Sequence, residues 1–285
     1  MKFCRFLPTP SSPSSFGLLN DNGEITELSD QFNRLSEILE LKDLAGHFAK
    51  LDLTKERRFQ ASAVRLLAPI DHQEVWAAGV TYLRSKTARM DESEFSATAY
   101  DRVYEAARPE IFFKATAHKV VGPRDHVGIR ADATWSVPEP ELALVLNSRG
   151  EIAGYTIGND MSSRDIEGEN LLYLPQAKIY RRSCALGPCI VTGAGEAEAR
   201  QWEIQITIQR ANAVVFQGKT NVGQIKRTFA ELAQYLFRSQ EFPLGAVLLT
   251  GTGVVPADDF TLQAADQIRI EISGIGALEN SVKVV

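Results

Sequence analysis

Cysteine and histidine are scarce in this chain, with three Cys and four His among 285 residues. Cys4, Cys184 and Cys189 are odd in number and show neither CxxC nor Cys/His spacing, which argues against a disulfide framework and a structural zinc site. They read as reduced, buried thiols. No apolar run is long enough to cross a bilayer, and the N-terminal MKFCRFLPTPSSPSSFG reaches Pro8 and Pro10 before any stretch of signal-peptide length. The expected setting is therefore the cytoplasm, with no membrane partner. Basic runs are missing too. With 31 Lys+Arg against 36 Asp+Glu the formal net charge is −5, the wrong sign for a protein that neutralises phosphates, so no nucleic-acid partner is expected. Small molecules and further copies of the chain remain as partners.

What is present fits a globular α+β protein, 44% hydrophobic and 24% charged. Residues 1–70 read as a small α+β domain. It opens with the hairpin FGLLNDNGEITEL around Asn22-Gly23 and continues into an amphipathic helical stretch from about Ser29 to Leu51. Residues 71–285 read as a mostly antiparallel β domain, because short β-branched runs such as EVWAAGVTY, EIFFKA, ELALVL and QIRIEISG alternate with Gly, Pro and Asp-rich turns. One helix interrupts them at TFAELAQYLFRS, where Thr228 and Glu231 have capping-box spacing and Phe229, Leu232, Leu236 and Phe237 make an apolar face.

The stretch VPEPELALVLNSRGEIAGYTIGND carries the chemistry. Side chains two apart on a strand share a face, so Glu139 and Glu141 point the same way. A loop of Arg149-Gly150, or a symmetric four-residue loop from Ser148 to Glu151, sets Glu139 opposite Asp160 and Glu141 opposite Gly158. The glycine then leaves room among three carboxylates. Like charges at this spacing repel strongly unless a cation lies between them, and an oxygen-only donor set selects a hard ion, Mg²⁺ or else Mn²⁺ or Ca²⁺. Three protein ligands leave half of an octahedral shell for a bidentate 2-oxo acid. A second reading stays open on the residues alone: Glu139 and Glu141 as the solvated face of an edge strand kept at the edge by Pro138 and Pro140.

Four segments in this order, PEPELALVL, GYTIGNDMSSRD, AKIYRRSCALGP and LLTGTG, resemble the successive core motifs of the fumarylacetoacetate hydrolase superfamily over residues 72–285. The resemblance implies a β-sheet roll, a bound Mg²⁺ held by Glu139, Glu141 and Asp160, and a homodimer. Hydrolases of this superfamily carry an NYxxHxxE-like motif whose His and Glu activate water. The corresponding stretch here, GVTYLRSKTARMDES, has no histidine, and His47, His72, His118 and His126 all lie elsewhere. RPEIFFKA and RDIEGENLLYLPQAKIY instead resemble the 2-keto-3-deoxy-pentonate dehydratase branch, in which the residues matching Glu110 and Lys178 act beside the metal.

That branch implies dehydration of a 2-keto-3-deoxy sugar acid to 2,5-dioxopentanoate. Mg²⁺ on the C2 carbonyl acidifies the C3 protons, one group removes a proton, and another protonates the departing C4 hydroxyl. Without the resemblance, Glu110 reads as a turn carboxylate after Pro109 and Lys178 as a surface lysine near YRR. Further substrate contacts are expected from Arg164 and Asp165, from Lys114 and His118, and from Thr252 and Gly251 in a small-residue turn whose N–H groups suit a carboxylate. The competing functions are a C–C hydrolase of acylpyruvates or 2,4-diketo acids on the same scaffold, and a non-catalytic oxo-acid or metal binder.

Overall fold

The computed structural model describes residues 1–28, 31–82 and 102–285. Within the first seventy residues lie strands β1 (Lys2–Leu7), β2 (Ser15–Leu19), β3 (Glu24–Glu27), β4 (Arg58–Gln60) and β5 (Arg65–Leu67). After them come β6 (Glu74–Gly79), β7 (Glu110–Ala115), β8 (His126–Ile129), β9 (Ser136–Val137), β10 (Pro140–Leu146), β11 (Ile152–Asp160) and β12 (Ser162–Ser163). The remainder are β13 (Cys184–Val191), β14 (Glu203–Arg210), β15 (Ala213–Asn221), β16 (Ala246–Leu249), β17 (Gln267–Ile272) and β18 (Gly276–Val284). The expected helical stretch near residues 29–51 is two short helices, α1 (Leu35–Leu39) and α2 (Leu44–Phe48), and Ser29 lies outside the described residues. Asp43 breaks the stretch: its carboxylate accepts from the Gly46 N–H at 2.8 Å and starts α2 afresh.

One eleven-stranded sheet runs in the order β4-β3-β2-β1-β13-β11-β10-β16-β6-β7, with β5 also paired to β1. The N-terminal strands thus extend the sheet that holds β10, through the β1–β13 pairing. A five-stranded sheet, β15-β14-β17-β18-β8, packs on one face of the large sheet. There Leu142 and Leu144 of β10 share a core with Ile204, Ile206, Ile268 and Ile270 and with the helix Phe229–Phe237. Its N-cap Thr228 accepts from Glu231 N–H at 3.1 Å, half of the expected capping box, while the Glu231 carboxylate turns to Arg227 instead. On the other face Ala143 and Val145 meet Leu35, Ile38, Leu39 and Phe48 of α1 and α2. Among the described residues the pairings β6–β16 and β8–β18 are parallel and the others antiparallel.

The β10–β11 register is the expected one, with Glu141 opposite Gly158, but it arises differently. The loop has three residues, Ser148 to Gly150, closed by Asn147 N–H to Glu151 O at 3.0 Å and by Gly150 at φ 75°. A three-residue loop alone would pair the strands one residue out of step. A bulge between Val145 and Leu146 on this ladder, with Ala153 as the extra residue, restores the step. Gly158 also has another cause than expected: a Cβ there would strike the Leu249 side chain, so the glycine makes room for core packing and not for carboxylates. The edge-strand reading fails outright, since β10 is central in the sheet and all seven of its residues are buried.

Because β10 lies at the junction of both cores, Leu144→Ala should cost about 2–5 kcal/mol of unfolding free energy by chemical denaturation. Val214→Ala on exposed β15, 57% exposed, should cost less than about 0.5 kcal/mol. Similar losses at both positions would contradict this placement of the core.

Candidate metal centre and active site

Strand alternation carries Glu139, Glu141 and Asp160 to the end of the β10–β11 hairpin, where one oxygen from each lies within 4.8 Å of the others. All three residues are at most 2% exposed. At an effective dielectric near 20, each such pair of charges repels by roughly 3 kcal/mol, and withdrawing each ion from water costs several more. The neighbours decide which carboxylates are compensated. Glu139 Oε1 accepts from Arg164 Nη2 at 2.7 Å and Oε2 from Lys178 Nζ at 2.8 Å. Asp160 Oδ2 accepts from Lys178 Nζ at 3.3 Å. Its Oδ1 is in ion-pair contact with Lys114 Nζ.

Glu141 stands apart. Its Oε2 accepts from the Gly251 N–H at 2.5 Å, and among the described residues no ammonium or guanidinium pairs with it. One hydrogen bond to a charged group contributes about 1.5–3 kcal/mol, which does not offset burial and two like-charge neighbours. Burial first, then the charges of Asp160 and Glu139, therefore push the Glu141 carboxyl well above the usual range. A buried carboxylate with no ion-pair partner among the described residues, next to two further buried carboxylates in an all-oxygen donor set, fits a hard divalent cation.

The sequence-predicted residues separate into those at this centre and those away from it. Lys178 ends the helix α4 (Leu174–Lys178), which follows α3 (Arg164–Glu169), and is 1% exposed, so the surface-lysine reading fails. Its Nζ also donates to Ser162 Oγ at 2.6 Å and lies 4.0 Å from Glu167 Oε2. Lys114 lies at the carboxylate centre. As the bulge residue of β7 it donates to Met161 O at 3.0 Å and to Lys178 O, and contacts Asp160. Arg164, the first residue of α3, holds Glu139 and is buried, whereas Asp165 faces away and accepts from Thr134 N–H at 2.6 Å and Oγ1 at 2.9 Å.

The Gly251 N–H meets the Glu141 carboxylate. Its φ of 90° and the closeness of Thr81 Oγ1 and Ala78 O leave no place for a side chain. Thr252 Oγ1 donates to Val254 O at 3.1 Å within the same turn. His118 is exposed, in a 3₁₀ turn after β7, with Thr116 Oγ1 at 3.5 Å. Glu110 opens β7 opposite Gly79, where a Cβ would strike its carboxylate, so that glycine gives Glu110 its space. It lies about 13 Å along the strand from Lys114, at the outer end of the same wall. The stretch aligned with the hydrolase water-activating motif falls outside the described residues beyond Tyr82.

Sequence reasoning missed Ser162, Glu167 and Phe112. Ser162 follows Asp160 by two, and Glu167 follows Arg164 by three on a helix, so periodicity carried a signal for both. Phe112 lies between Glu110 and Lys114, with its ring centre 6.0 Å from Lys178 Nζ.

Comparison with known proteins agrees with this geometry. Residues 74–283 match the family model "Fumarylacetoacetate (FAA) hydrolase C-terminal". A "Probable 2-keto-3-deoxyxylonate dehydratase" of Haloferax volcanii is 51% identical over 76% of this chain and 74% of its own length. A "2-dehydro-3-deoxy-D-arabinonate dehydratase" of Saccharolobus solfataricus is 41% identical over 94% of this chain and 92% of its own. Among solved structures, a 2-keto-3-deoxy-D-arabinonate dehydratase complexed with magnesium and 2,5-dioxopentanoate superposes with a TM-score of 0.84 at 36% identity, covering 100% of this chain and 99% of that one. The chain belongs to the fumarylacetoacetate hydrolase family.

The raised Glu141 pKa fixes a sign. In the metal-free fold this carboxyl keeps a proton that the unfolded chain releases at its lower, ordinary pKa. Its stabilising contribution is complete below that ordinary value and is lost as pH rises through the raised one. A Mg²⁺ ion held by Glu141 would take the proton's place, so thermal melting should show a larger Mg²⁺-induced rise at about pH 8 than at about pH 5. Asp160→Asn should weaken Mg²⁺ binding by at least about tenfold in calorimetry. A Mg²⁺ effect independent of pH would contradict the assignment of Glu141.

Proposed function

We propose that the protein is a Mg²⁺-dependent hydro-lyase that dehydrates a 2-keto-3-deoxy sugar acid of pentonate size to 2,5-dioxopentanoate. The observation that carries the reading is the charge balance of the buried centre. Among the described residues Glu139, Glu141, Asp160 and Glu167 face Lys114, Lys178 and Arg164, all at most 5% exposed, so that these seven side chains carry one negative charge if all are ionised. A divalent cation would turn this into one positive charge, which the carboxylate of a 2-oxo acid cancels. The similarity to dehydratases from Haloferax and Saccharolobus, and to a dehydratase structure with magnesium and 2,5-dioxopentanoate, supports the same substrate class.

Glu139, Glu141 and Asp160 would hold the metal, which when bound polarises the keto group and makes the adjacent C3 protons more acidic. Arg164 and Lys114 hold Glu139 and Asp160 against rotation, and the Gly251 N–H fixes Glu141. Lys178 is anchored by Ser162 Oγ and by its own carbonyl, which accepts from Ser183 Oγ at 2.9 Å. Its Nζ is thereby placed at the carboxylate centre, while Glu110 stands at the far end of the β7 wall. These two groups, of different basicity and on either side of the substrate space, carry the C3 proton and the proton delivered to the departing C4 hydroxyl. A homodimer in the cytoplasm completes the reading. The family resemblance supports the dimer, and no described helix is long and apolar enough to cross a membrane.

The Mg²⁺-loaded protein should release the aldehyde product from a D- or L-2-keto-3-deoxy-pentonate faster than it cleaves an acylpyruvate; the opposite order would establish the C–C hydrolase reading instead. Lys178→Ala and Glu110→Gln should each lower kcat by about 10²-fold or more with smaller changes in substrate binding, while His118→Ala keeps most of the activity.

A further inference from the structure

We infer that Phe112 is a specificity residue that selects 2-oxo acids lacking a hydroxyl at C3; this rests on the dehydratase reading above. Alternation along β7 gives Phe112 the face that carries Glu110, and its cross-strand neighbour there is Ala77, too small to cover the ring. Phe112 packs against the core that holds Ala77 and Ala115 and is only half-buried, although Lys114 and Ala115 after it are fully buried. The Lys178 ammonium lies 6.0 Å from the ring centre and bonds Glu139 and Asp160. Phe112 therefore forms the wall between the two proton-carrying groups, next to the carboxylates that anchor the acid end of the substrate.

The carbon that gives up its proton must come between Lys178 and Glu110 and adjacent to the anchored keto group, which places C3 against this ring. A phenyl face accepts a methylene with a gain in apolar burial and offers a hydroxyl nothing to replace its lost water. An apolar wall of this kind discriminates against an added hydroxyl by roughly 10- to 100-fold.

The test uses two minimal 2-oxo acids that have no C4 hydroxyl to eliminate, pyruvate and 3-hydroxypyruvate, titrated by calorimetry into the full-length Mg²⁺-loaded protein. Wild type should favour pyruvate by about tenfold or more. Phe112→Ser should bring the two affinities within about threefold, chiefly by tightening 3-hydroxypyruvate, and Phe112→Leu should keep the wild-type preference. Mg²⁺ affinity and melting temperature, measured on the same samples, should stay near wild type in Phe112→Leu, which separates selectivity from folding. An unchanged preference in Phe112→Ser, or none in wild type, would overturn the inference while leaving the dehydratase reading intact. If neither acid bound wild type with Mg²⁺ present, the dehydratase reading itself would fall and take this inference with it.

Discussion

A buried carboxylate with no ion-pair partner among the described residues, Glu141, is the constraint on which the rest of the site depends. Its neighbours Glu139 and Asp160 are each matched by a cation, whereas Glu141 has one backbone N–H. A fold keeps such a group ionised at 1% exposure only when a positive charge is supplied to it, and a bound cation supplies one. The three cations leave Glu141 unmatched and hold Glu139 and Asp160 in place. Lys114 reaches from β7, Lys178 from α4 and Arg164 from α3, so each ties a different element to the β10–β11 hairpin.

The sheet makes this arrangement possible. β10 and β11 are central strands, fixed by cores on both faces, and a one-residue slip would turn every ligand to the wrong side. The Ala153 bulge and the glycine turn at Gly150 are what set the register. On β7 alternation gives Lys114 the face of Glu110 and Phe112, and the bulge there brings Ala115 to the same face.

The convergence of Glu139, Glu141 and Asp160 was legible in the sequence because strand alternation and hairpin pairing are governed by short-range rules. The loop length was misread, yet the bulge compensated for the error. Gly158 was assigned to the wrong neighbour because its reason, Leu249, comes from a strand almost a hundred residues away. Lys178 and Lys114 show the same limit: nothing local distinguishes a lysine buried among carboxylates from a solvated one. The helical stretch after residue 29 divided because Asp43 provides a second helix start, a cap signal that apolar periodicity alone does not weigh.

If charge balance governs the centre, metal and 2-oxo acid each bind best when the other is present, because only together do they neutralise it. Mg²⁺ affinity measured by calorimetry with and without saturating pyruvate tests this directly. The account predicts at least about tenfold tighter Mg²⁺ binding with pyruvate and the same factor for pyruvate with Mg²⁺, as linkage requires. Mg²⁺ binding that is indifferent to pyruvate, or pyruvate binding that is equally tight without Mg²⁺, would contradict it.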